Sequence, residues 1–132
     1  MAKSDISYVF KAQVYARNYR KIQISAKSTL NDLSEAILRA YQFDSDHLNA
    51  FFMDGKAWSH AAPYWSPHNE EEPSTDKVKL SSFDFKEKDK FLYLFDFGHE
   101  WRFAVTFIKE IDIATPKPIV LESKGDSPEQ YD

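Results

Sequence analysis

The sequence predicts an α+β domain: a mixed, mostly antiparallel sheet with a β-grasp-like opening, ordered strand, strand, helix, strand, strand, loop, strand, strand. Three observations carry this. Two runs of alternating polar and apolar residues lie close together at 6–14 and 19–24, which reads as an antiparallel hairpin. One stretch with helical spacing follows at 29–42. An aromatic strand–turn–strand then runs from Phe91 to Ile111.

In the first hairpin Ile6, Tyr8, Phe10, Ala12 and Val14 alternate with Ser7, Lys11 and Gln13, the period of a half-buried strand. The pattern breaks at Arg17-Asn18 and resumes from Tyr19 to Ile24. The helix can be capped by Ser28 or Thr29, with Asn31 or Asp32 in its first turn. Leu30, Leu33, Ile37, Ala40 and Tyr41 form its apolar stripe, and Ser34, Glu35 and Arg39 are placed nearer the opposite face.

Residues 48–53 read as a strand, and Asp54-Gly55 as a two-residue turn that sends 56–59 back beside it. Residues 60–77 are expected to be a long loop, punctuated by Pro63, Pro67 and Pro73 and carrying three consecutive glutamates at 70–72. A short helical turn is expected at 80–85. The run 91–97 is apolar throughout, whereas Trp101, Phe103, Val105, Phe107 and Ile111 alternate with Arg102, Thr106 and Glu110. The expected domain is 1–114, with 115–132 an extended, partly irregular tail containing Pro116, Pro118 and Pro128.

Composition narrows the function. The chain has 132 residues and no cysteine, which excludes disulfides, thiolate metal sites and thiol nucleophiles. No apolar stretch is long enough to span a bilayer, and the N-terminal residues lack a signal-peptide core, so a cytoplasmic protein without membrane partners is expected. The net charge of −4 is uneven: residues 1–40 hold seven Lys/Arg against three Asp/Glu, and the remainder ten against eighteen. Only three glycines are present, too far apart for a phosphate-cradling loop or dinucleotide fingerprint. Asp96-Phe97-Gly98 spells the kinase magnesium tripeptide, but the other kinase parts are missing.

Polar residues embedded in apolar sequence are the candidates for function. Asp46 and His47, with Asp44, lie where the helix hands over to the third strand, and Asp96, Gly98, His99, Glu100 and Trp101 lie at the turn of the aromatic hairpin. Should the two segments converge, Asp96, His47 and His99 offer carboxylate and imidazole donors for a divalent metal, although no cofactor is expected. The alternative is that Asp96 caps a tight turn and His47 bonds to backbone. His60 and His68, in the proline-rich loop, read as solvated side chains. Arg17, Arg20 and Lys21, interleaved with Tyr15 and Tyr19, form a basic aromatic hairpin suited to phosphate and base contacts. An acidic pI of about 5.6 and the absence of a recognised module weigh against nucleic acid as the main partner.

The segment from Phe91 to Trp101, preceded by 46–51 and 29–33 and followed by Gly125-Asp126-Ser127-Pro128-Glu129-Gln130-Tyr131, resembles the plasmid pRiA4b ORF-3-like family. The resemblance covers nearly the whole chain in order. It implies an α+β layout and a bacterial or archaeal protein associated with plasmids and mobile elements, with no established catalytic set. It places Asp46-His47, Asp96-Phe97-Gly98 and Trp101 among the signature positions. The chain departs from that pattern at His99, where aspartate is usual, and at Tyr19 and Phe43, where tryptophan is common; a C-terminal extension of longer members is missing. The favoured expectation is a non-enzymatic binding or interaction module with an unknown protein or ligand partner. A metal-binding domain or metal-dependent enzyme using Asp46, His47, Asp96, His99 and Glu100 is the first alternative, and a nucleic-acid accessory protein using Arg17, Arg20 and Lys21 the second.

Overall fold

The computed structural model describes residues 6–131. Its elements are β1 (Ser7–Tyr15), β2 (Asn18–Ser25), α1 (Leu30–Ala40), β3 (Asn49–Phe52), β4 (Pro63–Trp65), β5 (Lys90–Phe95), β6 (Trp101–Ile111) and β7 (Ile119–Lys124), with single 3₁₀ turns at Pro67–Asn69, Thr75–Lys77 and Leu80–Ser82. The strands form one sheet in the order β4-β3-β5-β6-β1-β2-β7. Every ladder between them is antiparallel; the one parallel pairing among the described residues is an isolated bridge, Trp65–Ser74. The expected mixed sheet is therefore mostly antiparallel. β1 lies between β2 and β6, antiparallel to both, so the ladders lend no support to a β-grasp.

Alternation decides which face is core. Tyr8, Phe10 and Ala12 of β1, Ile22 and Ile24 of β2, and Phe103, Val105 and Phe107 of β6 point to one face, where α1 lies across them. Thr29 caps α1 by a reciprocal box: its hydroxyl accepts from the Asp32 amide at 3.1 Å, and the Asp32 carboxylate accepts from the Thr29 amide at 2.9 Å. Ser34 departs from expectation. It is buried with Leu30, Leu33 and Ile37, as its spacing from Leu30 and Ile37 requires. No helix among the described residues is long and apolar enough to cross a membrane.

Burying Tyr41 in this core has a consequence at high pH. Burial pushes its phenol up to about 12, against the nearby Arg20 charge, which acts in the other direction. Tyr93, fully buried, is also held above the ordinary tyrosine range by burial. In the unfolded chain both ionise near pH 10, so the folded state retains their full contribution below that pH and loses it as pH rises towards the folded values. The urea midpoint is expected to hold between pH 8 and 9.5 and fall above pH 10. Tyr41→Phe should flatten part of that fall.

The segment after β3 differs from expectation. The Asp54-Gly55 turn exists, with Gly55 at φ +77°, but it does not close a two-residue hairpin. The Asp54 carboxylate instead accepts from the Lys56 amide at 3.1 Å and the Ser59 hydroxyl at 2.5 Å, and the returning strand begins only at Pro63. The longer excursion lets Trp58 fold onto Phe97 (4.8 Å between ring centroids) and Phe52 (6.0 Å), extending a second small cluster of Ala50, Phe52, Leu94 and Trp65 on the sheet face away from α1. Packing Trp58, which stays part-exposed, against those rings offsets part of the ordering of a longer loop. The expected 60–77 loop thus contains β4 and two 3₁₀ turns.

In the C-terminal segment residues 119–124 form a strand, with irregular chain on either side. After β6 the chain passes Ser7, whose hydroxyl lies 2.5 Å from the Thr115 hydroxyl, and then supplies β7 along the outer edge of β2. Pairing satisfies β2 backbone groups that would otherwise face water. From Lys124 the segment turns at Gly125 (φ +84°), where an added Cβ would sit 2.8 Å from Asn18 Cγ. Gly125→Ala is expected to destabilise the fold by about 1–2 kcal/mol, through left-handed strain and displacement of Asn18. Urea denaturation measures the loss, and hydrogen exchange should show it concentrated in 119–131.

Candidate functional site

The end of the sheet where β3 starts and β5 stops gathers the segments singled out in sequence. Asn49 pairs with Phe95, so residues 44–48 and the turn 96–100 are brought side by side, and the Asp96 amide donates to the Leu48 carbonyl at 2.9 Å. His47 Nε2 lies 3.3 Å from Asp46 Oδ1 and 3.6 Å from Asp96 Oδ2, with its ring edge-on to Phe95. Two carboxylates thus face one imidazole nitrogen. That arrangement orients the ring.

Asp96 has a second task. Its Oδ1 accepts from the amides of Gly98 (3.1 Å) and His99 (3.3 Å), while its carbonyl accepts from Glu100 at 2.6 Å. The left-handed positions of this turn are Asp96 (φ 64°) and Glu100 (φ 60°), not Gly98. An aspartate tolerates that conformation because its short side chain bonds to the local backbone.

His99 turns away from His47. Its ring stacks on Trp101 with centroids 4.6 Å apart and planes at 19°. Trp101 is itself buried against Phe43, and its indole N–H has no acceptor among the described residues. Glu100 pairs with Arg102 at 2.8 Å, and that bond, with a smaller contribution from the Trp58 indole, holds its carboxyl below the usual range.

The residues offered as metal donors therefore divide. Asp46 and Asp96 converge on His47, while His99 and Glu100 are engaged elsewhere. Among the described residues no group of three or more His, Asp or Glu side chains could hold a metal ion. The basic hairpin divides too. Arg17 is exposed at the turn (φ 64°), and Lys21 pairs with Glu122 at 3.4 Å. Arg20 is buried: its guanidinium donates to the carbonyls of Ala40 (3.3 Å), Tyr19 (2.9 Å) and Lys124 (3.1 Å) and to the Ser127 hydroxyl (3.2 Å), and it lies 4.3 Å over the Tyr41 ring. Its role is structural.

Sequence reasoning missed the part played by the last residues. The Tyr131 hydroxyl donates to Asp46, at 3.0 Å from both carboxylate oxygens. The Gln130 side chain accepts from the Asp44 amide (2.6 Å) and donates to the Asp44 carbonyl (3.0 Å). The 125–131 segment thereby ends against the His47 cluster. Ser34, Asn49 and Ser66 were missed as well; they line a cleft beside His47. The helical spacing of Ser34 was the one signal available for them.

The family described as "Plasmid pRiA4b ORF-3-like protein" matches residues 12–130. Among solved structures, a crystal structure of a protein of unknown function from Methanosarcina mazei Go1 is similar, with a TM-score of 0.77 and 23% identity over 96% of this chain and 72% of that one. At that identity the likeness speaks for the fold. No curated protein matches the chain.

Proposed function

The chain belongs to the plasmid pRiA4b ORF-3-like family, and we propose that it is a non-enzymatic recognition module, acting in the cytoplasm, that binds its partner at the end of the sheet holding His47. The observation that carries this reading is the His47 imidazole set between Asp46 and Asp96 at the mouth of a polar cleft. Loops that converge on a rigid sheet commonly carry binding. The family's description names a plasmid, which supports a link to plasmid or mobile-element biology.

The test is a titration of isotope-labelled protein followed by NMR. Probes are small carboxylates, amines, amides and phosphates; zinc, manganese and nickel; and short single-stranded and duplex DNA at low salt. Saturable shifts confined to 44–49, 66–68, 96–100 and 130–131 with an organic probe support recognition. Stoichiometric metal binding through His47 or His99 would replace it with the metal reading. Shifts at 15–21 with DNA, weakened by added salt, would replace it with the nucleic-acid reading. If no probe moves the His47 end, the proposal fails.

A further inference from the structure

The cleft beside His47 has a volume of about 80 Å³ and is lined mainly by polar side chains, with Leu38 and Pro67 among them. Its lining includes three buried groups, Ser34, Asn49 and Ser66, with Glu35, His47 and His68 around them. The way the three buried groups satisfy one another defines what remains for a ligand.

Ser34 Oγ donates to Asn49 Oδ1 at 3.5 Å and lies 2.5 Å from the Tyr93 hydroxyl. Ser34 has one hydrogen, so giving it to Asn49 makes Tyr93 the donor to Ser34. The relay runs Tyr93 to Ser34 to Asn49 and ends on the Asn49 carboxamide oxygen. Its carboxamide nitrogen then has no acceptor among the described residues, although Asn49 is only 8% exposed. Ser66 Oγ accepts from the Asn49 amide at 3.1 Å, and its own hydrogen likewise has no acceptor among them. The floor of the cleft therefore offers two unused donors.

A ligand must bring an acceptor oxygen to that floor, which excludes a bare ammonium. The surroundings decide its charge. Glu35 lines the cleft, and Asp46 and Asp96 stand behind His47. The Glu35 carboxylate in the lining disfavours a carboxylate or phosphate and suits an N–H.

We infer that this cleft binds a neutral carboxamide, its carbonyl oxygen on Asn49 and Ser66 and its N–H towards Glu35, as the asparagine or glutamine side chain of a partner would present it. The inference rests on the proposed recognition role and gives that site a ligand class.

Acetamide is the probe, with acetate and methylammonium as equal-concentration controls on the full chain. Acetamide is expected to shift the Asn49 side-chain NH₂ and the residue 66–68 amides saturably in the millimolar range, while both controls leave them in place. Asn49→Asp replaces the free NH₂ by an acceptor and should weaken acetamide binding about tenfold or more. Glu35→Gln, at an exposed helix position that the fold does not need, should narrow the preference for acetamide over acetate at least severalfold. Unchanged Asn49 signals in the parent protein, or equal response to acetate, overturn the inference. If another probe class binds at the His47 end the recognition reading survives that failure; if none does, both fall.

Discussion

Arg20→Ala is expected to remove about 3 kcal/mol of stability and to release the C-terminal third of the sheet edge before the rest unfolds. The guanidinium donates to Ala40 at the end of α1, to Tyr19 in β2, to Lys124 at the end of β7 and to Ser127 beyond it. It thereby ties three segments together, with the Tyr41 ring beneath it. Bonds from a charged donor contribute roughly 1.5–3 kcal/mol each, and the cation–π contact about 1 kcal/mol, but burying an unneutralised guanidinium offsets much of their sum. Urea denaturation reads the net loss. Hydrogen exchange should show β7 unprotected while β1 and β6 remain slow. Arg20→Lys should recover less than half, because one ammonium cannot span acceptors on three segments. A loss under 1 kcal/mol, with β7 protection intact, would show that the edge holds without this clamp.

Phe103→Ala should cost about 3–5 kcal/mol. Phe103 is fully buried on β6, with the rings of Tyr41 (5.3 Å), Tyr93 (5.7 Å) and Phe43 (6.1 Å) around it. Those rings are fixed by other contacts: Tyr93 by Ser34, and Tyr41 by Arg20 and by its hydroxyl donating to the Asn18 carbonyl at 3.1 Å. They cannot collapse into the space left behind, so the cavity persists. Against a total stability of about 5–15 kcal/mol for a domain of this kind, the melting temperature should fall by roughly 10–20 °C. Phe103→Leu, which keeps most of the volume, should cost about 1 kcal/mol. Equal effects from the two variants would contradict a tightly packed ring lattice at this point.

These two positions show how legible the chain was. Phe103 could be assigned to the core from alternation along β6, because a period of two needs no knowledge of partners. Arg20 could not. Its neighbours in sequence, Arg17 and Lys21, share its chemistry, and nothing local distinguishes a charge that reaches solvent from one that meets a carbonyl and a hydroxyl more than a hundred residues away. The Asp54-Gly55 turn shows a similar limit: the dipeptide specifies a bend, but the return waited until Trp58 had found Phe97 on the far side of the sheet.

The amino-acid sequence by itself determined the first hairpin, the helix with a cap at Ser28 or Thr29, strands within 48–53, 91–97 and 101–111, and the family. Each follows from periodicity, capping chemistry or motif order within a short stretch. Tertiary structure alone decided that 119–124 is a strand, that Arg20 is a clamp, that His47 faces Asp46 and Asp96 while His99 stacks on Trp101, and that Ser34, Asn49 and Ser66 line one cleft. Those outcomes depend on which segments the sheet order makes neighbours, and long-range pairing leaves little mark on the residues that take part in it.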